Sequence, residues 1–239
     1  MPSSADTWNS RYSDPAFHAA PQPNPFLLEV FPFLPRGCAL DLACGAGQNA
    51  VSLVERGWPT VAIDVSISAL DRAESLAASR NIPVRRAAPG GTGTLACPEP
   101  ASAGEWACAL SPHPAAHPEL LLLRADLESF ALPSAAFDVI LCFRYLQRSL
   151  FPAIERALRP GGVLVFETFT IDQLSFDRGP RNPEHLLQPG ELRTAFPNLT
   201  HLFYREWKSC SAPLQGGMSG EALASLLARK APASPPSVM

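Results

Sequence analysis

Two aspartates and two glycines occur close together in the sequence, in an arrangement that suits a ligand site. Asp41 lies within the apolar run Ala39–Ala43, which predicts a buried strand. Gly45 and Gly47 follow it, and Asp64 ends a second apolar run. Glycines allow a turn whose backbone a ligand can approach closely, and the carboxyl ends of neighbouring parallel strands meet at one edge of a sheet. Two carboxylates beside such a turn suit a ligand with an amine at one end and a ribose at the other, a description that S-adenosylmethionine fits.

The sequence between these residues predicts a strand, a glycine turn, a helix and a second strand. The helix is expected over Asn49–Arg56, with Gly57 at its C-terminal cap and Pro59 preventing its continuation. Thr60–Ile63 then supplies the apolar, β-branched residues of the second strand. The same alternation of strand and helix continues through the rest of the chain.

The remaining predicted elements favour a mostly parallel sheet covered by helices. They are a helix over Phe26–Leu34, a helix capped by Ser66 or Ser68, strands at Leu120–Ala125 and Ala136–Phe143, a helix over Arg144–Leu158, a strand at Val163–Phe166, a helix near Pro189–Phe196 and a strand at Leu199–Trp207. Glu221–Lys230 has a helical periodicity but could also pair as an antiparallel last strand. The predicted fold is of the α/β class: a Rossmann-like, doubly wound, mostly parallel seven-stranded sheet with helices on both faces and an antiparallel last strand.

The 239 residues suit a single domain, 1–239, with three segments of different character. Residues 1–25 form an N-terminal extension in which Trp8, Arg11 and Tyr12 share a face at helical spacing, so that either a packed terminal helix or a lid over the ligand is expected. Residues 87–118 are rich in Pro, Gly and Ala and predict an insertion, and residues 231–239 predict a disordered tail.

Composition narrows the classes of partner. A formal net charge of −3 with 46% hydrophobic residues is typical of a soluble globular protein and argues against nucleic-acid binding. No apolar run is long enough for a membrane span and the first residues lack signal-peptide character, so a cytoplasmic location is expected. The six cysteines show no C-x-x-C pair, and His113 and His117 lie in the Pro-rich segment, so reduced thiols and no metal are predicted.

Five motifs occur in an order and spacing that identify a family resemblance: DLACGAGQN at 41–49, AIDVS at 62–66, ADL at 125–127, FDVILCF at 137–143 and LRPGGVLVFETF at 158–169. Together they resemble class I S-adenosylmethionine-dependent methyltransferases. The opening W-x-x-R-Y and the segment GPRNPEHLLQPGEL are similar to the branch that includes tellurite-resistance and thiopurine-type enzymes. The resemblance runs from Trp8 to Lys230, interrupted by the insertion.

A dinucleotide site is the competing interpretation. Residues 45–50 fit the pattern G-x-G-x-x-G/A, and Asp64 lies near the distance expected of a ribose-binding carboxylate, so an NAD(P)-dependent oxidoreductase is an alternative. Asp41 argues against it, because a carboxylate before the turn suits a cationic amino group better than a pyrophosphate. The Arg-Pro-Gly-Gly turn at 159–162 also favours the methyltransferase. A catalytically silent methyltransferase-like binding protein is a further alternative.

The resemblance implies a role for each residue of a cofactor site. Asp41 would orient the ammonium of S-adenosylmethionine, Gly45 and Gly47 would let the backbone pass its methionine part, and Asp64 would accept the ribose hydroxyls. The full set implied is Trp8, Arg11, Tyr12, Asp41, Ala43, Cys44, Gly45, Gly47, Asn49, Asp64, Val65, Asp126, Leu127, Cys142 and Phe143. Ala43 replaces the usual first glycine of the motif, a change that is expected to be tolerated if the residue keeps a strand-like conformation with negative φ.

The implied reaction is in-line transfer of a methyl group to a small-molecule acceptor. Residues just past the strand ends are the candidates for catalysis, namely Arg144, Tyr145, Glu167 and His185, and an ordinary surface or packing role fits each of them equally well. Arg181 and Asn182 lie on the same loop as His185. A monomer or weak homodimer without nucleic-acid or membrane partners is expected.

Overall fold

A computed structural model describes residues 3–17, 21–87, 118–211 and 219–233, which contain six α-helices and eight strands. The helices are α1 Ser4–Ser13, α2 Pro25–Val30, α3 Gln48–Glu55, α4 Ile67–Ser79, α5 Phe151–Ala157 and α6 Glu191–Thr194. The strands are β1 Ala39–Leu42, β2 Thr60–Asp64, β3 Val84–Arg86, β4 Leu120–Arg124, β5 Phe137–Phe143, β6 Leu158–Phe169, β7 Leu199–Ser211 and β8 Ser219–Lys230. Short 3-10 segments cover Phe31–Phe33, Arg148–Leu150, Ile171–Ser175 and Pro183–His185.

All eight strands form one sheet in the order β3-β4-β2-β1-β5-β6-β8-β7. Neighbours from β3 to β6 are parallel, whereas β8 pairs antiparallel with both β6 and β7. The chain builds outward from β1 in one direction through β2 and then returns to place β5 on the other side of β1. In sheets of this kind ligands bind at the carboxyl ends of the strands beside such a reversal.

Alternate residues of the strands supply two apolar faces. On β5, Ile140 and Cys142 pack with Phe151 of α5, while Val139 and Leu141 face Phe26 of α2. Helices α3 and α4 cover the neighbouring part of the second face, over β2 and β4. This burial on both sides explains why the central strands are continuous apolar runs rather than alternating ones.

The predicted α/β class, the parallel centre of the sheet and the antiparallel Glu221–Lys230 segment are confirmed. The sheet has eight strands rather than seven, because the three residues of β3 add an edge strand beside β4. The long helix expected from Arg144 is wrong: α5 begins only at Phe151. Pro152 explains this start, since proline is tolerated in the first turn of a helix but not in its interior.

The Arg-Pro-Gly-Gly segment belongs to β6 rather than to a separate turn. Leu158 already pairs with Phe137, and the register shifts before Val139 pairs with Val163, so the segment forms an irregular start of the strand. Gly161 supports this irregularity with a φ of 81°. Residues 88–117 of the expected insertion and residues 234–239 of the expected tail lie outside the described residues. None of the helices in the described ranges has the length and apolar character that crossing a membrane requires.

Gly47 fixes the distance between α3 and α4. It precedes α3 with a φ of 75°, and a Cβ at this position would lie 2.6 Å from the Cβ of Ala73 on α4 and 3.1 Å from its Cα. The absence of a side chain is therefore needed both for the backbone conformation and for the packing of the two helices beside the turn.

We expect Gly47→Ala to destabilise the fold by more than the backbone strain alone. A left-handed backbone costs a non-glycine residue about 1–2 kcal/mol, and the contact with Ala73 adds to this. Gly161→Ala is the matched control, because Gly161 also has positive φ but a Cβ there would meet nothing within 4 Å. Urea unfolding of the two variants should show the larger loss for Gly47→Ala; equal losses would contradict the packing role.

Candidate functional site

The glycine turn lies at the carboxyl ends of β1 and β2, where the sheet reverses its direction of growth. The backbone of Cys44 donates to the carbonyl of Ile63 at 2.9 Å, which carries the pairing of β1 and β2 into the turn. Gly47 donates to the carbonyl of Cys44 at 3.0 Å and closes the turn directly before α3. The turn is therefore held from both sides before any ligand binds.

Ala43 enters this turn in the left-handed region, with a φ of 52°. The expectation of a strand-like conformation with negative φ is wrong. The reason is geometric: β1 ends at Leu42, and the chain must reverse within the next few residues to reach α3. Alanine at this position stores backbone strain that glycine would not carry.

Asp41 is a buried carboxylate, one oxygen of which lacks a partner within the ranges that the structure describes. Its side chain is on β1 with only 1% of the residue exposed, and the backbone N–H of Ala50 donates to it. Among the described residues, nothing donates to its Oδ2. Burial raises the pKa of Asp41 to about 8, although the hydrogen bond from Ala50 opposes this rise and the Asp64 charge adds to it. A buried oxygen of this kind fits a ligand that brings a hydrogen-bond donor, and best a positively charged one.

Asp64 connects the turn with the start of α4. Its Oδ2 accepts from the backbone N–H of Gly45 at 2.8 Å, and its Oδ1 accepts from Ser66 at 2.9 Å. Burial raises its pKa, and the hydrogen bonds from the backbone oppose this rise. Ser66, not Asp64, caps α4, because its hydroxyl accepts from Ala69 at 3.1 Å. Asp64 therefore holds the shape of the turn while presenting a carboxylate at the end of β2.

Helix α1 lies against α4 and brings Tyr12 to the turn. Asn9 accepts from the hydroxyl of Ser66 at 2.9 Å, and Arg72 of α4 donates to two carbonyls just after α1. The hydroxyl of Tyr12 lies so close to Gly45 that a Cβ on this glycine would collide with it. Burial raises the pKa of Tyr12, and the Asp64 carboxylate adds to this rise. Of the three residues expected in the lid, Tyr12 is thus the one at the glycine turn.

Trp8 and Arg11 are exposed residues of α1. Trp8 is 36% exposed, and the guanidinium of Arg11 stacks over its ring at 4.9 Å from the ring centre. The ring centres of Trp8 and Tyr12 lie 6.2 Å apart, so Trp8 flanks the tyrosine that covers the glycine turn, and the roles of Trp8 and Arg11 at the cofactor stay predictions.

The opposite side of the site is formed by the ends of β4 and β5. Asp126 is exposed directly after β4 and accepts from the backbone of Glu128 at 3.0 Å, whereas Leu127 is buried in the core. Burial raises the pKa of Tyr145, and the nearby Asp126 and Asp64 carboxylates contribute to this rise. Tyr145 thus lies within electrostatic reach of two of the three aspartates that were expected to hold the cofactor, Asp64 and Asp126.

Other predicted residues support these ends rather than line them. Cys142 is 1% exposed and its thiol donates to the carbonyl of Tyr145 at 3.7 Å. Phe143 packs on the α2 face, Cys44 is buried beside α4, and Val65 is half-buried between β2 and α4. Cys44 and Cys142 are free thiols.

Two further candidates lie on the other side of β5. Arg144 directly follows β5, and its backbone is in the left-handed region, with a φ of 57°. Glu167, at the end of β6, is 2% exposed and both of its carboxylate oxygens are occupied. Asn24 donates to Oε1 at 2.9 Å and Ser225 donates to Oε2 at 2.6 Å, while Arg144 approaches at 3.7 Å.

The remaining candidates face solvent on a loop. Asn182 caps its own 3-10 segment by accepting from Glu184, and Arg181 donates to the carbonyl of Leu174. His185 is exposed on the same segment. Arg148 holds the loop in place through the carbonyls of Glu184 and Leu186.

Sequence reasoning missed several residues that complete the site. Asn24 links it to α3, since its backbone donates to Asn49 at 2.8 Å and its side chain reaches Glu167. The Asn-Pro pair at the start of α2 was a signal for a helix cap there. Arg205 and Trp207 lie two residues apart on β7, and this spacing was a signal that they share a face of the sheet.

Comparison with known proteins agrees with this geometry. A family model described as a methyltransferase domain matches residues 18–228. Among solved structures, a protein of echinomycin biosynthesis that converts a disulfide bond into a thioacetal group aligns at 16% identity with a TM-score of 0.62, covering 96% of this chain and 93% of that one. TehB from Haemophilus influenzae aligns at 15% identity with a TM-score of 0.60, covering 95% of this chain and 66% of that one.

An S-adenosylmethionine-dependent methyltransferase from Methanosarcina mazei aligns at 15% identity and a TM-score of 0.56, covering 89% of this chain and 100% of that one. No curated protein sequence gives a significant match. The chain belongs to the methyltransferase-domain family, and the resemblance to the class I S-adenosylmethionine-dependent fold is confirmed. The placement in the tellurite-resistance and thiopurine-type branch stays a prediction, because these identities show the fold alone.

We expect Ala43→Gly to stabilise the protein. Relief of about 1–2 kcal/mol of left-handed strain exceeds the roughly 0.5–1 kcal/mol of extra chain entropy that glycine brings to the unfolded state. Ala135→Gly is the matched control, since Ala135 has a φ of 49° but is exposed and remote from the turn. Thermal unfolding should show gains of similar size, up to about 1 kcal/mol, for both variants. A loss of stability in Ala43→Gly would contradict the strain assigned to this residue.

We also expect Asp41 to make the fold less stable as pH rises towards 8. Its pKa rises from 3.8 to about 8 on folding, so between these values the folded protein holds a proton that the unfolded chain has released. The free energy of unfolding therefore falls with rising pH. Urea unfolding without cofactor, between about pH 5 and about pH 8, should show a smaller fall in the free energy of unfolding for Asp41→Asn than for the original protein. Part of the fall should remain in the variant, because the pKa of Asp64 is also raised on folding. The same slope in the variant and the original protein would show that Asp41 is ionised throughout.

Proposed function

We propose that this protein is an S-adenosylmethionine-dependent methyltransferase that acts on a small-molecule acceptor. The observation that carries this proposal is the unpartnered Oδ2 of Asp41, buried beside a glycine turn at the point where the sheet reverses. The family match and the fold support a methyltransferase in general, and the side chains at this turn support this particular methyl donor.

The residues present fit the two polar ends of the donor. Asp41 would hold its ammonium group, which supplies the hydrogen-bond donors that Oδ2 lacks. Asp64 would accept from the ribose hydroxyls, and Asp126 would take the amino group of adenine. Tyr12 would cover the turn from α1, where its hydroxyl already lies against Gly45. When bound, S-adenosylmethionine supplies a methyl group activated by positively charged sulfur.

The chain's own contribution to catalysis is positioning. Holding a nucleophile and the methyl carbon in a near-attack geometry can supply on the order of 7–11 kcal/mol, so a general base is not required for a soft nucleophile. The left-handed backbone at Arg144 directs its side chain beside Glu167, where a cavity opens next to the end of β5. The volume of this cavity, about 310 Å³, suits a small molecule rather than a macromolecular segment.

A nicotinamide dinucleotide fits this site less well. The N-terminus of α3 could attract a pyrophosphate, but the buried Asp41 lies directly behind the turn and bonds to Ala50 within α3. A pyrophosphate would bring a negative charge beside Asp41 and so keep this residue protonated, whereas an ammonium group stabilises its ionised form. Asp41 therefore favours the cationic donor.

Binding of S-adenosylmethionine measured by calorimetry tests the proposal. We expect micromolar affinity in the original protein, loss of binding in Asp64→Ala and weaker binding in Asp41→Asn. Asp71→Ala is the matched control, because Asp71 is an exposed aspartate of α4 whose ion pair with Arg86 contributes little. No heat with S-adenosylmethionine, or tight binding of NADH instead, would refute the proposal.

A screen of thiols, amines, oxyanions and RNA for release of S-adenosylhomocysteine then separates an enzyme from a silent relative. Turnover with a small molecule is the expected result. Binding of the donor without turnover across the whole panel would favour a catalytically silent protein.

A further inference from the structure

The cavity beside β5 has a distinctive set of walls. It is lined by Asn24, Arg144 and residues of α2, β6, β7 and β8, and the polar ones are Asn24, Glu29, Arg144, Glu167, Arg205, Trp207 and Glu221. Asn24 separates it from the glycine turn, since the same residue bonds to Asn49 of α3 and to Glu167. If the proposed function holds, this is where an acceptor would lie next to the methyl donor, and the inference below rests on that function.

The walls are built from a row of side chains that crosses four strands. Glu167 pairs with Phe143 on one side and with Ser225 on the other, and Ser225 pairs with Arg205. Because directly opposite residues share a face of the sheet, these side chains project towards α2 together. Trp207 extends the same face by two residues along β7.

Two residues that line this cavity each have a buried hydrogen-bond donor without a partner in the described part of the chain. The indole Nε1 of Trp207 and the Nε of Arg205 are both buried, and neither donates to any atom of the described residues. Buried donors in native proteins are normally satisfied, so a pair of unsatisfied ones in the wall of one cavity indicates a missing acceptor atom.

The charged groups limit what this acceptor can be. Arg205 is paired with Glu29 at 3.1 Å and Arg144 with Glu221 at 3.2 Å, and both glutamate side chains are about half exposed. Glu29 binds the two terminal nitrogens of Arg205, at 3.1 and 3.2 Å, so an anionic ligand can accept from the Nε without replacing this partner. Since three glutamates surround the two arginines, a singly charged carboxylate fits better than a doubly charged phosphate.

We propose that the methyl acceptor carries a carboxylate, and that Trp207 and Arg205, with Arg144 beside them, bind this group in the cavity. The carboxylate oxygens accept from the indole N–H and the guanidinium, while Glu167 remains bonded to Asn24 and Ser225. Trp207 and Arg205 are in this sense specificity residues, which select the acid over its uncharged analogues.

The indole N–H signal of Trp207 reports this contact directly. We would record the ¹⁵N–¹H spectrum of the full chain with S-adenosylhomocysteine present, and titrate benzoate, cinnamate, hippurate and indole-3-acetate in parallel with the corresponding amides. Trp207→Phe, which keeps an aromatic ring but removes the N–H, assigns the signal. Trp58 is the internal control, because its Nε1 already donates to the carbonyl of Pro35 at 2.8 Å.

The expected result is a saturable shift of the Trp207 signal with at least one acid, at least tenfold weaker binding of its amide, and no shift of Trp58. Trp207→Phe should weaken binding of the acid at least fivefold while leaving the affinity for S-adenosylmethionine unchanged. An unmoved Trp207 signal with every acid, or equal binding of acids and amides, would overturn the inference even where the donor binds. Failure of the donor to bind would refute the proposed function instead. If Trp207→Phe does not fold, the comparison of acids with amides in the original protein decides alone, with the signal assigned from the backbone.

Discussion

The buried carboxylate of Asp41 is the constraint around which the site is organised. It lies on the central strand of the sheet and receives one backbone hydrogen bond from α3, while no described residue donates to its second oxygen. Burying a carboxylate in this way costs free energy unless a cation or a proton compensates it. In the free protein the compensation is a proton, which is why the pKa of Asp41 rises to about 8. A bound ammonium group would take the place of that proton.

The turn beside Asp41 shows how the rest of the fold maintains this unfavourable arrangement. Ala43 adopts a left-handed conformation, Asp64 is tied to the backbone of Gly45, and Gly47 allows α3 to approach Ala73. The strain at Ala43 and the burial of the two carboxylates cost stability locally, and the two-sided core of the parallel sheet offsets the cost. Helix α1 then covers the turn with Tyr12. The site is thus rigid on the donor side and open on the acceptor side.

Much of the donor side could be predicted from the sequence because its information is local. Asp41, Gly45 and Asp64 follow from strand ends and turn residues within one short segment, and the structure places them together. The conformation of Ala43 could not be predicted, since a single residue type does not determine where a strand stops and a reversal begins. Strand β3 was not predicted, because three residues are too few to show either the alternation of a strand or the periodicity of a helix.

The acceptor side was largely hidden for a different reason. Arg205 and Trp207 lie on the same face of the sheet as Glu167 because of the register of β7 with β8 and of β8 with β6. Such pairings join residues that are far apart in sequence, and no local pattern encodes them. Arg144 and Glu167 could be predicted as site residues because they lie at strand ends. The residues that donate hydrogen bonds to Glu167, Asn24 and Ser225, could not be predicted.

Proton release on binding of the methyl donor tests the role of Asp41 better than any other quantity. Titration of S-adenosylmethionine near neutral pH in buffers of different ionisation enthalpy gives the number of protons released. If the ammonium group replaces the proton on Asp41, roughly one proton should leave per ligand bound near pH 7, and Asp41→Asn should release almost none. Tight binding without proton release in the original protein would contradict the pairing of Asp41 with the donor.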